Sequence, residues 1–312
     1  MTSLTNYAII TPARNEAKFI ELTLRSVTAQ TTLPLKWIIV SDGSTDGTDE
    51  IVNQFAKEHS FIELLCLPER SGRDFAGKVH AFRAGYERIK QLDFKVIVSL
   101  DADISFDAEY FECLLGKLAE NPALGLVGTP FQELSGRVYD YRFVSIEHVS
   151  GACQVFRREC FEAIGGYLPI KGGSIDHVAV ISARMRGWQT RTFPEKVCTH
   201  HREIGTAQQG ILKSKFKAGL KDYRIGNHPL WQAFRVAYQT TLTPLLVGGF
   251  ALGIGYAWAA VRRLERPVPR ELVEFHRREQ LERLKSKLGL RGAVKRKSAS
   301  RTAKAEMPQS LE

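Results

Sequence analysis

Short apolar runs alternate with longer amphipathic stretches in the first hundred residues of the chain. The runs at residues 7–11, 37–41, 61–67 and 96–100 are rich in β-branched and other apolar side chains, which predicts buried strands. Between them, apolar residues recur at helical spacing. Strands and helices that alternate in this way form parallel sheets with right-handed crossovers. The sequence therefore predicts an α/β fold with a mostly parallel central sheet flanked by helices.

Polar side chains follow the second and the fourth predicted strands. Asp42 and Gly43 open a turn rich in Asp, Gly, Ser and Thr, and Asp101 and Asp103 come directly after the fourth strand. Ligands of open α/β sheets bind at the carboxyl ends of the strands, so we expect both clusters on one rim. Carboxylates two residues apart in an extended segment point the same way and suit Mg²⁺ or Mn²⁺. The structural alternatives are a solvated turn and a helix cap.

The chain has no glycine-rich phosphate loop. Neither GxGxxG nor GxxxxGK[ST] follows any of the predicted strands. A nucleotide bound at the rim would therefore need a metal ion to offset the charge of its phosphates. This requirement makes a metal site at Asp101 and Asp103 more relevant.

Positive charge is concentrated at the carboxyl-terminal end. Residues 262–312 carry 15 Lys+Arg and 7 Asp+Glu, a net charge of +8, whereas the preceding 261 residues carry 29 and 27, a net charge of +2. A basic tail suits an anionic partner, either a membrane or a nucleic acid, and a disordered solubilising end is the alternative. The near-neutral body and the lack of aromatic residues interleaved in the tail argue against a nucleic-acid-binding protein.

The cysteine pattern and the amino terminus both indicate a cytoplasmic protein. Five scattered cysteines without a CxxC pair indicate reduced thiols rather than a disulfide framework or a zinc site. Residues 1–6 are polar and lack the basic and then apolar pattern of a secretion signal.

Four segments in register resemble family 2 glycosyltransferases of the bacterial exopolysaccharide and cell-envelope type. They are residues 11–16 (TPARNE), 40–48 (VSDGSTDGT), 77–85 (GKVHAFRAG) and 101–103 (DAD). The resemblance extends from residue 7 to about residue 225. It implies the GT-A fold, a Rossmann-like sheet flanked by helices.

The resemblance implies a site for a nucleotide-sugar donor, with a UDP-sugar favoured. The implied nucleotide contacts are Pro12, Ala13, Asn15, Glu16, Asp42, Gly43, Lys78, Asp101 and Ala102. Asp42 would accept a hydrogen bond from the ring nitrogen of uracil, and Lys78 would offset the charge of the diphosphate. The cap and the solvated lysine remain their structural alternatives.

The implied metal ligands are Asp103, Asp101 and His200, and the implied cofactor is Mn²⁺ or Mg²⁺. His200 is preferred to the adjacent His201 because the family usually has its histidine in a His-x-Arg element, here ending at Arg202.

The resemblance also implies an acceptor side. Gly151 and Ala152 on a further predicted strand, and Ile175, are implied acceptor contacts. Asp176 stands where the family has its catalytic base, eleven residues before Gly187. Such a carboxylate would take the proton from the acceptor hydroxyl in a single inverting displacement. Two points complicate the assignment: the family's glutamate is Ile175 here, and Asp176 also suits a helix N-cap.

The carboxyl-terminal third predicts contact with a membrane. Residues 236–261 are 26 positions without a charged side chain, which is long enough to span a bilayer as a helix. A helix pair folded back on the catalytic domain is the alternative. A basic amphipathic helix at residues 272–288 would suit an anionic lipid surface. The expected domains are a GT-A domain at 1–227, a hydrophobic membrane-associated segment at 228–264, the basic amphipathic helix at 265–290 and a disordered basic tail at 291–312.

These features together predict a metal-dependent inverting glycosyltransferase at the cytoplasmic face of the inner membrane. It would move a sugar from a UDP-sugar to a hydroxyl of a glycan or a lipid-linked sugar, without a nucleic-acid partner. The lack of a QxxRW motif favours single addition over polymerisation. One rival is a catalytically silent nucleotide-binding or glycan-binding relative, which Ile175 favours, and another is a nucleic-acid-binding protein. A pyrophosphorylase is disfavoured because residues 12–16 are not rich in glycine.

Overall fold

The computed structural model describes residues 4–69, 75–133, 145–202, 210–242 and 245–289. Its first part alternates strands with helices, as the apolar pattern predicts. The elements are β1 (Tyr7–Ala13), α1 (Ile20–Thr28), β2 (Lys36–Asp42), α2 (Thr48–Glu58), β3 (Ile62–Leu67), α3 (Phe75–Ile89) and β4 (Val96–Leu100). The predicted basic tail, residues 291–312, lies outside the described residues.

The second part adds shorter strands and a group of carboxyl-terminal helices. Up to the end of the last strand the elements are β5 (Ile104–Ser105), α4 (Tyr110–Glu120), β6 (Leu124–Gly128), β7 (Phe131–Glu133), β8 (Cys153–Arg157), α5 (Arg158–Ala163), α6 (Ile175–Met185), β9 (Gln189–Thr192) and β10 (Cys198–His200). The helices that follow are α7 (Ile211–Arg224), α8 (Pro229–Gln239), α9 (Val247–Val261) and α10 (Arg270–Lys287).

Seven strands form the central sheet in the order β3-β2-β1-β4-β8-β6-β9. β1 pairs in parallel with β2 and with β4, and β2 pairs in parallel with β3. β8 runs antiparallel to both of its neighbours, β4 and β6. Because β1, β2 and β4 point the same way, the loops that follow them meet at one rim, as the sequence predicts.

A small second sheet brings a histidine to this rim. Its strand order is β5-β10-β7, with β10 antiparallel to β5. In this register His200 pairs with Ile104, the residue next to Asp103. The position of β5 directly after the aspartates therefore determines which residues of β10 come close to them.

Helices cover both faces of the central sheet, and each face has its own apolar core. On one face α1 and α4 pack against Tyr7 and Trp37, both completely buried. On the other face α3, α5, α6 and α10 pack against Ile10 and Phe156. β4 is buried at all five positions, as expected of a strand covered on both sides.

The loop between β1 and α1 has a residue in an unusual backbone conformation near its start. Asn15 has a φ of 55°, in the left-handed region that is uncommon for residues other than glycine. Its side-chain oxygen accepts a hydrogen bond from the Thr45 backbone N–H at 2.8 Å. Asn15 therefore holds the loop after β1 against the loop after β2, and the helix begins only at Ile20.

The uncharged run at residues 236–261 does not form one helix. α8 ends inside it, and α9 starts only after Leu246, whose φ of 62° is incompatible with a continuous helix. Across the described parts of the chain, no helix is both long enough and apolar enough to cross a membrane. α9 instead packs against α7 and α8.

α10 is docked on the protein through apolar residues in its first turn. Leu272 and Val273 are buried in the core on the side of α6. Arg184 of α6 makes a bidentate ion pair with Glu279, with distances of 2.7 Å and 2.9 Å. The prediction that the apolar face of this helix contacts a membrane is therefore wrong for Leu272, which packs inside the protein.

Candidate active site

Hydrogen bonds join the loop after β1 to the loop after β2. Four of them are Thr45 N to Asn15 Oδ1 (2.8 Å), Asn15 N to Ser44 Oγ (3.2 Å), Glu16 N to Thr48 Oγ1 (2.8 Å) and Ala17 N to Asp46 Oδ2 (3.0 Å). The two loops, whose motifs resemble those of a nucleoside site, therefore form one connected surface. Such bonds to backbone N–H groups hold loops in a fixed shape.

Asp42 lies at the end of β2, where the base of a nucleotide was expected. The side chain is buried, and Arg14 NH1 lies 3.8 Å from its Oδ2 atom. Gly43 has a φ of 68°, and a Cβ atom there would lie 2.8 Å from the Cα atom of Glu69. Both the backbone conformation and the close approach therefore require glycine at this position. Arg14 was not among the predicted site residues, although it lies inside the TPARNE segment.

Two other predicted nucleotide contacts, Pro12 and Ala13, lie at the end of β1, where they pair with Val40 and Ser41 of β2. The Ala13 side chain belongs to the apolar core. Only the backbone of Ala13 is therefore available to a ligand at the rim.

The side chains of Asp101, Asp103 and His200 lie together beyond the end of β4. One ligand atom from each residue lies within 4.8 Å of the others. His200 Nε2 is 3.5 Å from Asp103 Oδ1. Two carboxylates and an imidazole form a donor set that suits Mn²⁺, and also Mg²⁺ through the oxygen atoms.

The hydrogen bonding of His200 fits a role as a metal ligand. Its Nδ1 atom lies 2.5 Å from the backbone oxygen of Arg202, which can only accept, so Nδ1 donates in this hydrogen bond. The tautomer with its proton on Nδ1 has its lone pair on Nε2, on the side of Asp103. Metal-bound histidines are commonly oriented by such a bond from the other ring nitrogen. His201 Nε2 and Ser105 Oγ instead share a hydrogen bond of 2.8 Å.

Arg202 connects the metal group with the nucleotide loops, and it was not among the predicted site residues. Its Nε atom donates to Asp103 Oδ2 at 3.0 Å, and its guanidinium pairs with Glu16. The arginine of the His-x-Arg element was the available signal in the sequence. Arg202 is 99 positions from Asp103 and 186 positions from Glu16 in the sequence, and spacing does not reveal contacts between residues so far apart.

Lys78 lies among the carboxylates of the site. Its ammonium group pairs with Asp101. Burial acts to lower the pKa of Lys78, but Asp101, Asp176 and Asp103 raise it above its ordinary value. Burial raises the pKa of Asp101, and the pair with Lys78 opposes that shift. Lys78 is therefore a fixed positive charge beside the metal group and Asp176.

Asp176 lies in the first turn of α6, facing a glycine of the chain segment before β8. A Cβ atom on Gly151 would lie 2.9 Å from Asp176 Oδ2, so the carboxyl group rests directly on that backbone. The next residue, Ala152, accepts a hydrogen bond from Asp101 N at 2.9 Å. Residues 151–152 therefore hold Asp176 beside the metal group. Ser174 occupies the N-cap position of α6, so Asp176 is not its cap.

Ile175 does not face this site. Its side chain is buried in the core between the sheet and α6. The predicted role of Ile175 as an acceptor contact is therefore not supported, because successive helical residues point about 100° apart and only Asp176 is directed at the rim.

The site geometry agrees with comparisons to known proteins. The sequence profile of the family described as "Glycosyl transferase family 2" matches residues 8–143, which include Asp42, Lys78, Asp101 and Asp103. The profile covers less than half of the chain and agrees with the family resemblance found in the sequence. It supports the predicted enzyme class, a glycosyltransferase.

Several curated glycosyltransferases are similar to this chain. A poly-beta-1,6-N-acetyl-D-glucosamine synthase of Staphylococcus epidermidis is 27% identical over 170 residues, covering 48% of this chain and 39% of the synthase. The probable glycosyltransferase YdaM of Bacillus subtilis is 26% identical over 222 residues, covering 63% of this chain and 51% of YdaM. The chain thus spans about half or less of the length of these relatives.

Solved glycosyltransferases share the fold. TarS of S. aureus, in complex with UDP-GlcNAc, has a TM-score of 0.59 at 16% identity, covering 91% of this chain and 92% of that one. The mannosyltransferase PcManGT of Pyrobaculum calidifontis, in complex with GDP-Man and Mn²⁺, has a TM-score of 0.55 at 21% identity, covering 91% and 80%. The predicted GT-A fold is confirmed.

Proposed function

We propose that this chain transfers a sugar from a UDP-sugar to a hydroxyl group by single, metal-dependent displacement with inversion. The observation that carries the proposal is the grouping of Asp101, Asp103 and His200 at the sheet rim, between Asp42 and Asp176. In this proposal Asp42 recognises the base, the metal group binds the diphosphate and Asp176 accepts the proton, and the three follow the strand order β2, β4, β8 along the rim. A donor and an acceptor bound there would meet at the metal group.

The proposed binding of a UDP-sugar donor rests on Asp42 and the metal group. A buried carboxylate accepts a hydrogen bond from the ring N–H of uracil, which cytosine lacks. Relatives in the comparisons include a poly-N-acetylglucosamine synthase, and TarS was solved with UDP-GlcNAc. The mixed oxygen and nitrogen donor set favours Mn²⁺ over Mg²⁺.

The residues of this chain divide the work of the transfer. A bound divalent ion would stabilise the charge of the departing diphosphate. Lys78 adds a fixed positive charge on the same side, next to Asp101. Asp176 takes the proton from the acceptor hydroxyl as the oxygen attacks the anomeric carbon from the opposite face. Arg202 holds Asp103 and Glu16 in position, which keeps the metal group and the nucleotide loop in register.

For the acceptor we propose a glycan or a lipid-linked sugar at the cytoplasmic face of the inner membrane, in cell-envelope glycan synthesis. A synthase of a sugar polymer among the relatives supports this acceptor class. The proposal involves no nucleic acid. The alternative of a catalytically silent relative is distinguished by the experiment below; Ile175, which favoured it, is buried in the core on the side of α6.

Calorimetric titration of UDP, GDP and CDP, each with and without Mn²⁺, tests the proposal. Wild-type protein should bind UDP in preference to the other nucleotides and only with the metal, and Asp101→Ala/Asp103→Ala should lose this binding. Asp93→Ala is the matched control, since Asp93 is an exposed carboxylate that pairs with Lys95. If the folded wild type binds none of the nucleotides with Mn²⁺ present, the transferase proposal is wrong. If UDP binds but UDP-sugars yield neither transfer nor hydrolysis, the silent relative replaces it.

A further inference from the structure

α9 turns its large apolar side chains away from the protein. Phe250, Ile254, Trp258 and Val261 are 60%, 59%, 45% and 81% exposed. They recur at helical spacing and form one continuous face. The opposite face, which packs on the protein, is built from small residues and one leucine: Gly248, Gly249, Leu252, Gly255 and Ala259. A helix that contacts only water normally has the reverse arrangement.

The small residues let α9 pack backbone to backbone on α7. A Cβ atom on Gly255 would lie 2.1 Å from the backbone oxygen of Phe216, and one on Gly219 would lie 2.1 Å from that of Leu252. Tyr256 adds a 2.7 Å hydrogen bond from its hydroxyl to the Asn227 backbone oxygen. α9 is therefore fixed along the protein surface, with its exposed face held outward.

The apolar surface continues beyond α9. Leu245 and Leu246, just before the helix, are 68% and 59% exposed. The contacts of Gly219 with Leu252 and of Phe216 with Gly255 show that α7 runs antiparallel to α9. One turn earlier on α7, the exposed Leu212 therefore lies at the level of Ala259, near the end of α9. We call the surface formed by Leu245, Leu246, Phe250, Ile254, Trp258 and Val261 the α9 patch.

Positive charges border the α9 patch. Arg262 and Arg263 are exposed directly after the helix, and the Arg262 guanidinium lies 5.7 Å from the centre of the Trp258 ring. Lys213, next to Leu212, is also exposed. An apolar face with a tryptophan at its edge and basic residues beside it matches the acyl chains and the anionic headgroups of a bilayer surface.

We infer that the α9 patch inserts into one leaflet of a bilayer that contains anionic lipid, with α9 lying along the membrane plane. Among the described residues, one side of α9 packs on the protein and the other faces outward, so the contact is with the surface of the bilayer. The inference deepens the proposed membrane setting of the transferase. It is tested by lipid binding alone, so its failure and the failure of the nucleotide proposal are distinguishable.

Vesicle flotation of the full chain tests this inference. The wild type should float with phosphatidylcholine vesicles that contain phosphatidylglycerol and bind pure phosphatidylcholine more weakly. Phe250→Glu/Ile254→Glu should reduce binding by at least about tenfold, because two side chains leave the acyl region and two charges would have to enter it. Leu33→Glu/Leu35→Glu is the matched control, because both leucines are similarly exposed but lie in the loop before β2.

Tryptophan fluorescence gives the second measurement. Trp258 emission should shift to shorter wavelength with anionic vesicles and be quenched by brominated acyl chains, and Trp258→Phe should remove the signal. Unchanged flotation of Phe250→Glu/Ile254→Glu would overturn the inference and assign binding to another part of the chain. The inference would also be overturned if the wild type bound neither kind of vesicle and formed a dimer in sedimentation experiments while Phe250→Glu/Ile254→Glu stayed monomeric. That result would identify a second copy of the chain as the partner of the α9 patch.

Discussion

Asp176 and Gly151 form the closest contact between the proposed base and its support. Because the carboxyl group rests on the Gly151 backbone, any side chain at position 151 would move the base. The next residue, Ala152, accepts a hydrogen bond from the Asp101 backbone N–H, so this segment sets the distance between Asp176 and the metal group. A shift of the Asp176 carboxyl group would change that distance. The position of the carboxylate matters as much as its chemical identity, because a base must lie within hydrogen-bond distance of the proton that it takes.

Asp176→Asn should therefore lower kcat for sugar transfer by about 10²–10⁴-fold, because the amide cannot accept the acceptor's proton. Gly151→Ala should lower kcat by about tenfold or more through misplacement of an intact carboxylate. Both variants should bind UDP with Mn²⁺ as the wild type does, since neither residue belongs to the metal group. Product formation over time and calorimetry of UDP measure the two effects. A parallel loss of UDP binding in Asp176→Asn would instead make Asp176 part of the donor site.

At the scale of elements, the helix glycines leave least room where α7 crosses α9, because the two backbones come closest together there. The two glycines at the crossing have no room for a methyl group, whereas Gly116 in α4 has no atom within 4 Å of its virtual Cβ atom. The same substitution should therefore have opposite effects at the two places. The reason is that glycine is unfavourable in a helix unless close contact requires it.

Gly219→Ala should lower the free energy of unfolding by about 1–3 kcal/mol, because the helices must separate. Gly116→Ala should raise it by about 0.5–1 kcal/mol through its helix propensity alone. Urea unfolding followed by circular dichroism measures both variants against the wild type. Equal stability of Gly219→Ala and the wild type would mean that the contact between α7 and α9 is looser than the structure indicates.

At the scale of the whole molecule, three histidines lie where α10 docks on the body of the protein. His148 Nδ1 is 3.2 Å from His177 Nδ1, and the rings of His177 and His276 lie 5.5 Å apart. Burial, together with the charges of Arg184 and Arg283, lowers the pKa of His276 to about 3. Burial likewise lowers the pKa of His148 to about 4, against the opposing charge of Asp176. These rings are neutral in the folded protein at pH values where an unfolded histidine is charged.

The protein should therefore lose stability on acidification through this cluster. Above the unfolded pKa of about 6.5, histidines are neutral in both states and contribute no pH dependence. Between about pH 6.5 and pH 4 the unfolded state binds protons that the folded state does not, so the free energy of unfolding should fall, by about 3 kcal/mol for His148. Urea unfolding from pH 7.5 to pH 4.5 measures the slope, and His148→Gln/His276→Gln should flatten it. An unchanged slope in the double variant would assign the acid sensitivity to other groups.

The sequence by itself determined the sheet and the chemistry of its rim. Strands that alternate with helices predict parallel pairing, and parallel strands bring their carboxyl ends, here Asp42 and Asp101 with Asp103, to one edge of the sheet. Alternation along an extended chain then turns the two aspartates the same way. These are local properties of the backbone, and they allowed a polar rim with two paired carboxylates to be predicted before any tertiary contact was known. The proposed nucleotide contacts at that rim came from the family resemblance.

The tertiary structure decided which neighbouring residues come together at the rim. The register of β10 on β5 brings His200, the last residue of the strand, to Asp103, as the family resemblance indicated, whereas His201 lies beyond the strand and bonds to Ser105. Packing of α6 likewise directs Asp176 to the rim and buries Ile175. The outward face of α9 depends on its glycine contacts with α7. Each of these outcomes depends on which elements pack together, and an apolar residue has the same pattern in the sequence whether protein or lipid covers it.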